Sequence, residues 1–135
     1  MLAWNEDYAT GLDSIDKQHH MLIDHINRLE EMLAITKPTP AEIAFASSLV
    51  QFLELYANTH FKYEEGCMVR YRCPAHAENQ AAHAEFLTFF GRFKEHYQAE
   101  GYSAEAFREL HHTISSWITG HILRIDTRLK ACVKP

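Results

Sequence analysis

Three breaks in an otherwise helical pattern constrain this chain most. Pro38 and Pro40, in TKPTP, interrupt the first long stretch, because proline lacks a backbone donor and its ring clashes with the preceding turn. Cys73-Pro74 marks a second break. Gly101, in AEGYS, marks a third, with Ser103 placed to cap the next helix. Between the breaks, apolar residues recur every three or four positions. They are Ile15, Leu22, Ile26, Leu29 and Leu33; then Ile43, Leu49, Phe52, Leu53 and Tyr56; then Phe86, Leu87, Phe90 and Phe93. The last set is Phe107, Leu110, Ile114, Trp117, Ile118, Ile122, Ile125 and Leu129. Each set lays one apolar stripe along a helix. Sustained two-residue alternation and hairpin dipeptides are missing. The expected fold is all-α, an up-down-up-down four-helix bundle, with helices over about 14–36, 40–66, 75–98 and 103–131. Residues 1 to about 13 form a non-helical arm by pattern, with Trp4, Tyr8 and Leu12 available to anchor it.

The 135 residues suit a single domain, 1–135, around one core. A net charge of −5 argues against nucleic acid as a partner, since phosphate binding favours clustered Lys and Arg. No apolar run approaches the roughly 20 residues that span a bilayer. The start, MLAWNEDYATGLD, lacks the basic-then-apolar layout of a signal peptide, so the expected location is the cytoplasm. Cys67, Cys73 and Cys132 are odd in number and share no repeated spacing, so they read as free thiols. Ten histidines in so short a chain are unusual, and their spacing carries the argument further.

In THFKYEEG, His60 and Glu64 are four apart, about 40° around a helix and about 6 Å along it, so both reach one site. In WITGHILRID, His121 sits between Trp117 and Ile125, on the apolar face. Asp126 lies five beyond His121, about 140° round an ideal helix. The two converge only if the helix distorts locally or if Asp126 reaches a second metal. His19 is three before Leu22, and His83 three before Phe86, so both belong to apolar stripes. Each helix thus turns a histidine inward. A lone inward histidine is usually a satisfied core residue, and helices carry pairs such as HxxxE by chance. Four facing histidines and two acids in one bundle interior are better explained by metal, because buried polar groups need partners. The other histidines, His20, His25, His76, His96, His111 and His112, read as exposed helix residues.

These residues resemble a known family. The chain is similar to the bacterial hemerythrins, non-haem di-iron four-helix bundles that bind oxygen. The resemblance spans nearly the whole chain: Trp4 in the arm, YATGLDSIDKQHH, HFKYEE, HAEFL and WITGHILRID, in that order. It implies ligands residue by residue. His19 comes from DxQH, His60 and Glu64 from HxxxE, His83 from the second position of HxxxH, and His121 and Asp126 from HxxxxD. Glu64 and Asp126 would bridge two iron ions, His19 and His60 would serve one, and His83 and His121 the other. The family's hydrophobic oxygen pocket falls on Leu22, Trp117, Ile118 and Ile122, which equally suit ordinary core packing.

The seventh ligand of the family, a histidine, falls at position 79, where this chain has Asn79. His76 is on the right face but about 10 Å along the axis from His83, so it would need local unwinding near Pro74. An amide oxygen is a much weaker iron ligand than an imidazole. Three outcomes stay open. Asn79 coordinates weakly or holds a water; the second iron is bound loosely and lost; or both irons stay, each with an open position. The resemblance implies reversible dioxygen binding for carriage, storage or sensing. The alternatives are an enzyme on the same scaffold, reacting with dioxygen, peroxide or nitric oxide, and a binding module whose metal is structural.

Overall fold

The computed structural model describes residues 1–133. The main helices are α1, Asp13–Leu33; α2, Pro40–Arg70; α3, His76–Glu100; and α4, Ala104–Arg124; a one-turn α5, Leu129–Cys132, comes last. Local chemistry explains where they start and stop. At the head of α2, Thr39 Oγ1 accepts from the Glu42 N–H at 3.2 Å, and the Thr39 N–H donates to Glu42 Oε1 at 2.9 Å. This reciprocal cap satisfies two donors that the helix leaves unpaired, and Pro40 fits the first turn, where no helical bond is lost. At the tail of α2, Arg72 adopts a left-handed φ of 51°. Its N–H donates to Val69 O at 3.1 Å and the Cys73 N–H to Met68 O at 2.8 Å, the paired bonds of a Schellman motif. Gly101 ends α3 at φ 75°, a conformation that glycine adopts without strain. Ser103 then caps α4 by accepting from the Ala106 N–H at 3.2 Å.

Several boundaries differ from the sequence expectation. α1 stops at Leu33, and α2 runs on to Arg70 instead of ending near position 66. The fourth helix does not continue to position 131. It ends at Arg124, where Ile125 leaves helical geometry at φ −118° and ψ −57°. Asp126–Arg128 then form a 3-10 turn before α5. The arm is not wholly irregular either, because Glu6–Tyr8 make one 3-10 turn, capped by Asn5 Oδ1 accepting from the Asp7 N–H at 2.8 Å.

α1 packs on α2 and α4, and α3 packs on the same two helices, which gives the antiparallel up-down-up-down arrangement. The buried apolar side chains form two clusters. The larger includes Leu22, Ile26, Leu53, Phe61, Phe86, Phe90, Phe107, Ile118 and Ile122. The smaller joins Ile15, Met68, Cys73, Ala75, Ile125 and Leu129 at one end. Fully burying each such aliphatic or aromatic side chain contributes roughly 1.5–3 kcal/mol. In all four helices the polar site falls between a residue of one cluster and a residue of the other. His19 lies between Ile15 and Leu22, Glu64 between Phe61 and Met68, His83 between Ala75 and Phe86, and His121 between Ile118 and Ile125. The arm is anchored as expected: Tyr8 is buried, Trp4 packs on the larger cluster and Leu12 on the smaller. Among the described residues, no helix is long and apolar enough to cross a membrane.

Candidate metal centre

Helix periodicity brings His19, His60, Glu64, His83 and His121 to one level of the bundle. The break at Ile125 brings Asp126 there as well, by rotating a residue that a straight helix would aim elsewhere. All six are at most 4% exposed, so none can rely on water for its polar partners. Their donor atoms form two overlapping sets. One joins His19, His60, Glu64 and Asp126; the other joins His83, His121 and the same two carboxylates. Within each set the donor atoms lie within 4.8 Å of one another.

Glu64 is the hinge between the sets. Its Oε2 lies 3.3 Å from His19 Nε2 and 3.5 Å from His60 Nε2, and its Oε1 lies 3.3 Å from His83 Nε2. Asp126 repeats the pattern, with Oδ2 at 3.2 Å from His19 Nε2 and Oδ1 at 3.0 Å from His121 Nε2. His83 Nε2 and His121 Nε2 face each other at 3.0 Å. Two outer contacts fix the tautomers. His60 Nδ1–H donates to Gln18 Oε1 at 2.6 Å, and His83 Nδ1–H donates to Glu65 Oε2 at 2.8 Å. With the proton held on Nδ1, each Nε2 turns its lone pair toward the centre, the arrangement that prepares a histidine for a metal. Neither Gln18 nor Glu65 stood out in the sequence. The only signal was their adjacency to a ligand candidate, Gln18 before His19 and Glu65 after Glu64.

The electrostatics ask for a cation. Among the described residues no Lys or Arg is buried, yet Glu64 and Asp126 lie side by side in the interior. Burying a carboxylate costs several kcal/mol, which only close, well-placed opposite charge and hydrogen bonds offset. Without metal, protons stand in for the missing charge. For His19, burial favours the neutral ring, but Asp126 and Glu64 together outweigh it and push the pKa up to about 9. Burial likewise works against an ionised Glu64, but bonds from His19 and His83 overcome it and hold that carboxyl well below its usual range. Burial and then the Glu64 charge raise Asp126. Burial pushes His60 down to about 3, so this ring stays neutral. Protons satisfy the geometry poorly. Glu64 Oε2, Asp126 Oδ1 and both His19 nitrogens are buried without an aligned hydrogen-bond partner, in a structure where such groups are normally paired. His19 Nε2 and the two carboxylate oxygens converge on the centre, and imidazole with carboxylate is a donor set that suits iron, zinc or manganese. The residues therefore fit a pair of metal ions.

Asn79 is fully buried beside this centre. Its Nδ2 donates to Glu64 Oε1 at 2.8 Å and to Met68 Sδ at 3.2 Å, while its Oδ1 has no partner. His76, the other candidate, is half-buried in the first turn of α3 and is outside both donor sets. Leu22, Ile118 and Ile122 are buried in the larger cluster, with Trp117 packed against it. Two rings enclose the site directly. Phe61 stacks on His83 with centroids 3.9 Å apart, and Trp117 stacks on His121 at 4.3 Å. Phe61 was missed in the sequence because its role depends on which neighbour it faces. The remaining histidines are not uniformly exposed. His20, His96 and His112 are, but His25, His76 and His111 are half-buried. His25 stacks on Phe52 at 4.3 Å, and burial lowers the pKa of His111.

A buried, carboxylate-linked double cluster in a four-helix bundle defines a metal-binding bundle protein. The hemerythrin HHE cation-binding domain model matches residues 10–133, and the chain belongs to that family. It is 26% identical over 122 residues to a bacteriohemerythrin of Stenotrophomonas maltophilia (strain R551-3), covering 90% of this chain and 74% of that protein. It is also 26% identical over 125 residues to a bacteriohemerythrin of Pseudomonas aeruginosa (strain LESB58), covering 93% and 76%. In fold it is similar to a crystal structure of wild-type hemerythrin, with a TM-score of 0.83 and 20% identity, over 100% of this chain and 99% of that one.

Proposed function

We propose that the chain binds dioxygen reversibly at a di-iron centre held by His19, His60, Glu64, His83, His121 and Asp126, for oxygen carriage, storage or sensing. Glu64 and Asp126 would each serve both ions, His19 and His60 one, and His83 and His121 the other. The observation that carries this reading is the pair of donor sets that share both carboxylates. Bound there, iron would supply the reversible redox chemistry that dioxygen binding needs. The chain's own residues do the rest. Gln18 and Glu65 hold the protons on Nδ1 of His60 and His83, which keeps each Nε2 free. Phe61 and Trp117 cover the His83 and His121 rings and exclude water, which disfavours charge separation. Asn79 presents an N–H donor to Glu64, so it steadies a carboxylate and offers no lone pair from that atom.

Visible absorption during oxygenation cycles tests the proposal. Expected is a band that appears with dioxygen and disappears on its removal, over repeated cycles. A band that never forms, or a single irreversible oxidation, would sink it. Asn79 favours one second reading, an enzyme on the same scaffold that reacts with dioxygen, peroxide or nitric oxide. Replacing an imidazole with an amide leaves a weaker ligand set at one ion. On that reading oxidation is fast and accompanied by turnover, and Asn79→His slows autoxidation or raises iron occupancy. If neither quantity moves, the amide is not what limits the site.

A further inference from the structure

Cys73 and Cys132, 59 positions apart, meet beneath the metal centre. Their Sγ atoms are 2.6 Å apart, within about 0.6 Å of a covalent S–S distance. Both are free thiols; Cys73 is buried and Cys132 half-buried. Their placement is built into the fold. The Schellman motif that ends α2 sets the Cys73 backbone, through the bond from its N–H to Met68 O at 2.8 Å. α5 sets Cys132, whose Sγ also lies 3.5 Å from Arg128 O, the carbonyl that Cys73 Sγ approaches to 4.0 Å. Around them are Ile15, Met68, Ala75, Ile125 and Leu129. Ile125 is the residue before Asp126, so the thiols and the turn that aims Asp126 belong to one apolar cluster.

We propose that Cys73 and Cys132 form a redox pair that closes to a disulfide by exchange with a low-molecular-weight disulfide, fastening the Asp126 turn to the α2–α3 connection. The half-buried Cys132 thiolate attacks the external disulfide, forming a mixed disulfide and releasing one thiol. Cys73 then attacks the Cys132 sulfur and releases the second. Two cysteine thiols lose two electrons and two protons, and one disulfide gains them as two thiols. Ile125 makes the last bond of the α4 ladder, to His121 O at 2.9 Å, and the segment from Asp126 to Cys132 continues as a 3-10 turn and one helical turn. So short a helix has little stability of its own, and a covalent tie closing a long loop is where a cross-link adds most. In a compartment with a reduced thiol pool the pair stays open, and an oxidising change closes it. The hydrogen bond to Cys73, aided by burial, pushes the Cys132 thiol up to about 11, so closure speeds up as pH rises. This inference stands independently of the metal's identity and of dioxygen binding.

The test treats the full chain with glutathione disulfide, then counts free thiols by alkylation and maps linked peptides. Expected is a fall from three reactive cysteines to Cys67 alone, a Cys73–Cys132 cross-linked peptide, and an intact mass lower by about 2 Da. Amide hydrogen exchange over residues 125–132 should then slow by about tenfold or more. Cys132→Ser should abolish both changes, and Cys67→Ser should preserve both. The proposal is overturned if Cys73 and Cys132 remain alkylatable, if the link runs through Cys67, or if the cross-link forms without slowing exchange in that segment.

Discussion

Around His19 and His60 the centre is held by polar contacts; around His83 and His121 it is held mainly by rings. His60 is oriented by Gln18, and His19 by the pull of two carboxylates that raise its pKa to about 9. Phe61 lies flat on His83, 7° from parallel, and Trp117 on His121, at 11°. Beyond the two shared carboxylates, which approach His83 and His121 at 3.3 and 3.0 Å, this half has one further charged partner, Glu65 on His83. The contrast teaches that one half is tuned by charge and the other by shape. The two halves meet at Glu64 and Asp126, so a change there reaches both.

The largest expected effect breaks that junction. Glu64→Gln removes a shared charge, and metal affinity should fall by about 100-fold or more at both positions, measured by elemental analysis after dialysis. Retention of both ions would show that the carboxylate is not shared. Next, His60→Ala and His121→Ala should each leave about one ion per chain, held by the opposite half. If either variant loses both ions, the halves are not separable.

Smaller changes sharpen the contrast between charge and shape. Gln18→Leu should weaken one ion by about tenfold, with little change in thermal stability, because it frees the His60 tautomer. Phe61→Leu should do the reverse in part. It removes a fully buried ring and should destabilise the fold by about 1–3 kcal/mol, while affecting the His83 ion more than the His60 ion. Equal losses at both ions in the two variants would erase the distinction.

The smallest effect is read on the metal-free chain, as urea midpoint against pH. His19, raised to about 9, stabilises the fold fully below its ordinary value of 6.5, and that contribution is lost as pH climbs through about 9. His60 is lowered to about 3. The unfolded chain binds its proton below 6.5 while the folded chain refuses it, so stability also falls as pH drops from there toward 3. Stability should therefore peak near 6.5 without metal, and added metal should flatten the alkaline limb by replacing the His19 proton. A monotonic profile would contradict these assignments.

Much of this was legible in the sequence, because helical periodicity is a local rule. Spacing from Leu22, Phe86 and Trp117 was enough to turn His19, His83 and His121 inward. Proline and glycine marked the breaks between the helices. The break at Ile125 carried no such signal, since isoleucine is an ordinary helix residue, so the sequence posed the convergence of His121 and Asp126 as a question. Gln18, Glu65 and Phe61 were silent because their roles depend on how one helix is rotated against the next. The meeting of Cys73 and Cys132 was hidden for the same reason, since chain spacing says nothing about contacts across the bundle. The half-buried His111 shows the limit from the other side, where a polar-looking stretch on α4 folds partly inward.

The central claim is that two ions share Glu64 and Asp126, and metal content per chain tests it most directly. Protein purified without added metal should carry about two iron ions per chain, on the proposal that each overlapping donor set holds one. Protein that saturates at one ion, or that carries none, would contradict the account.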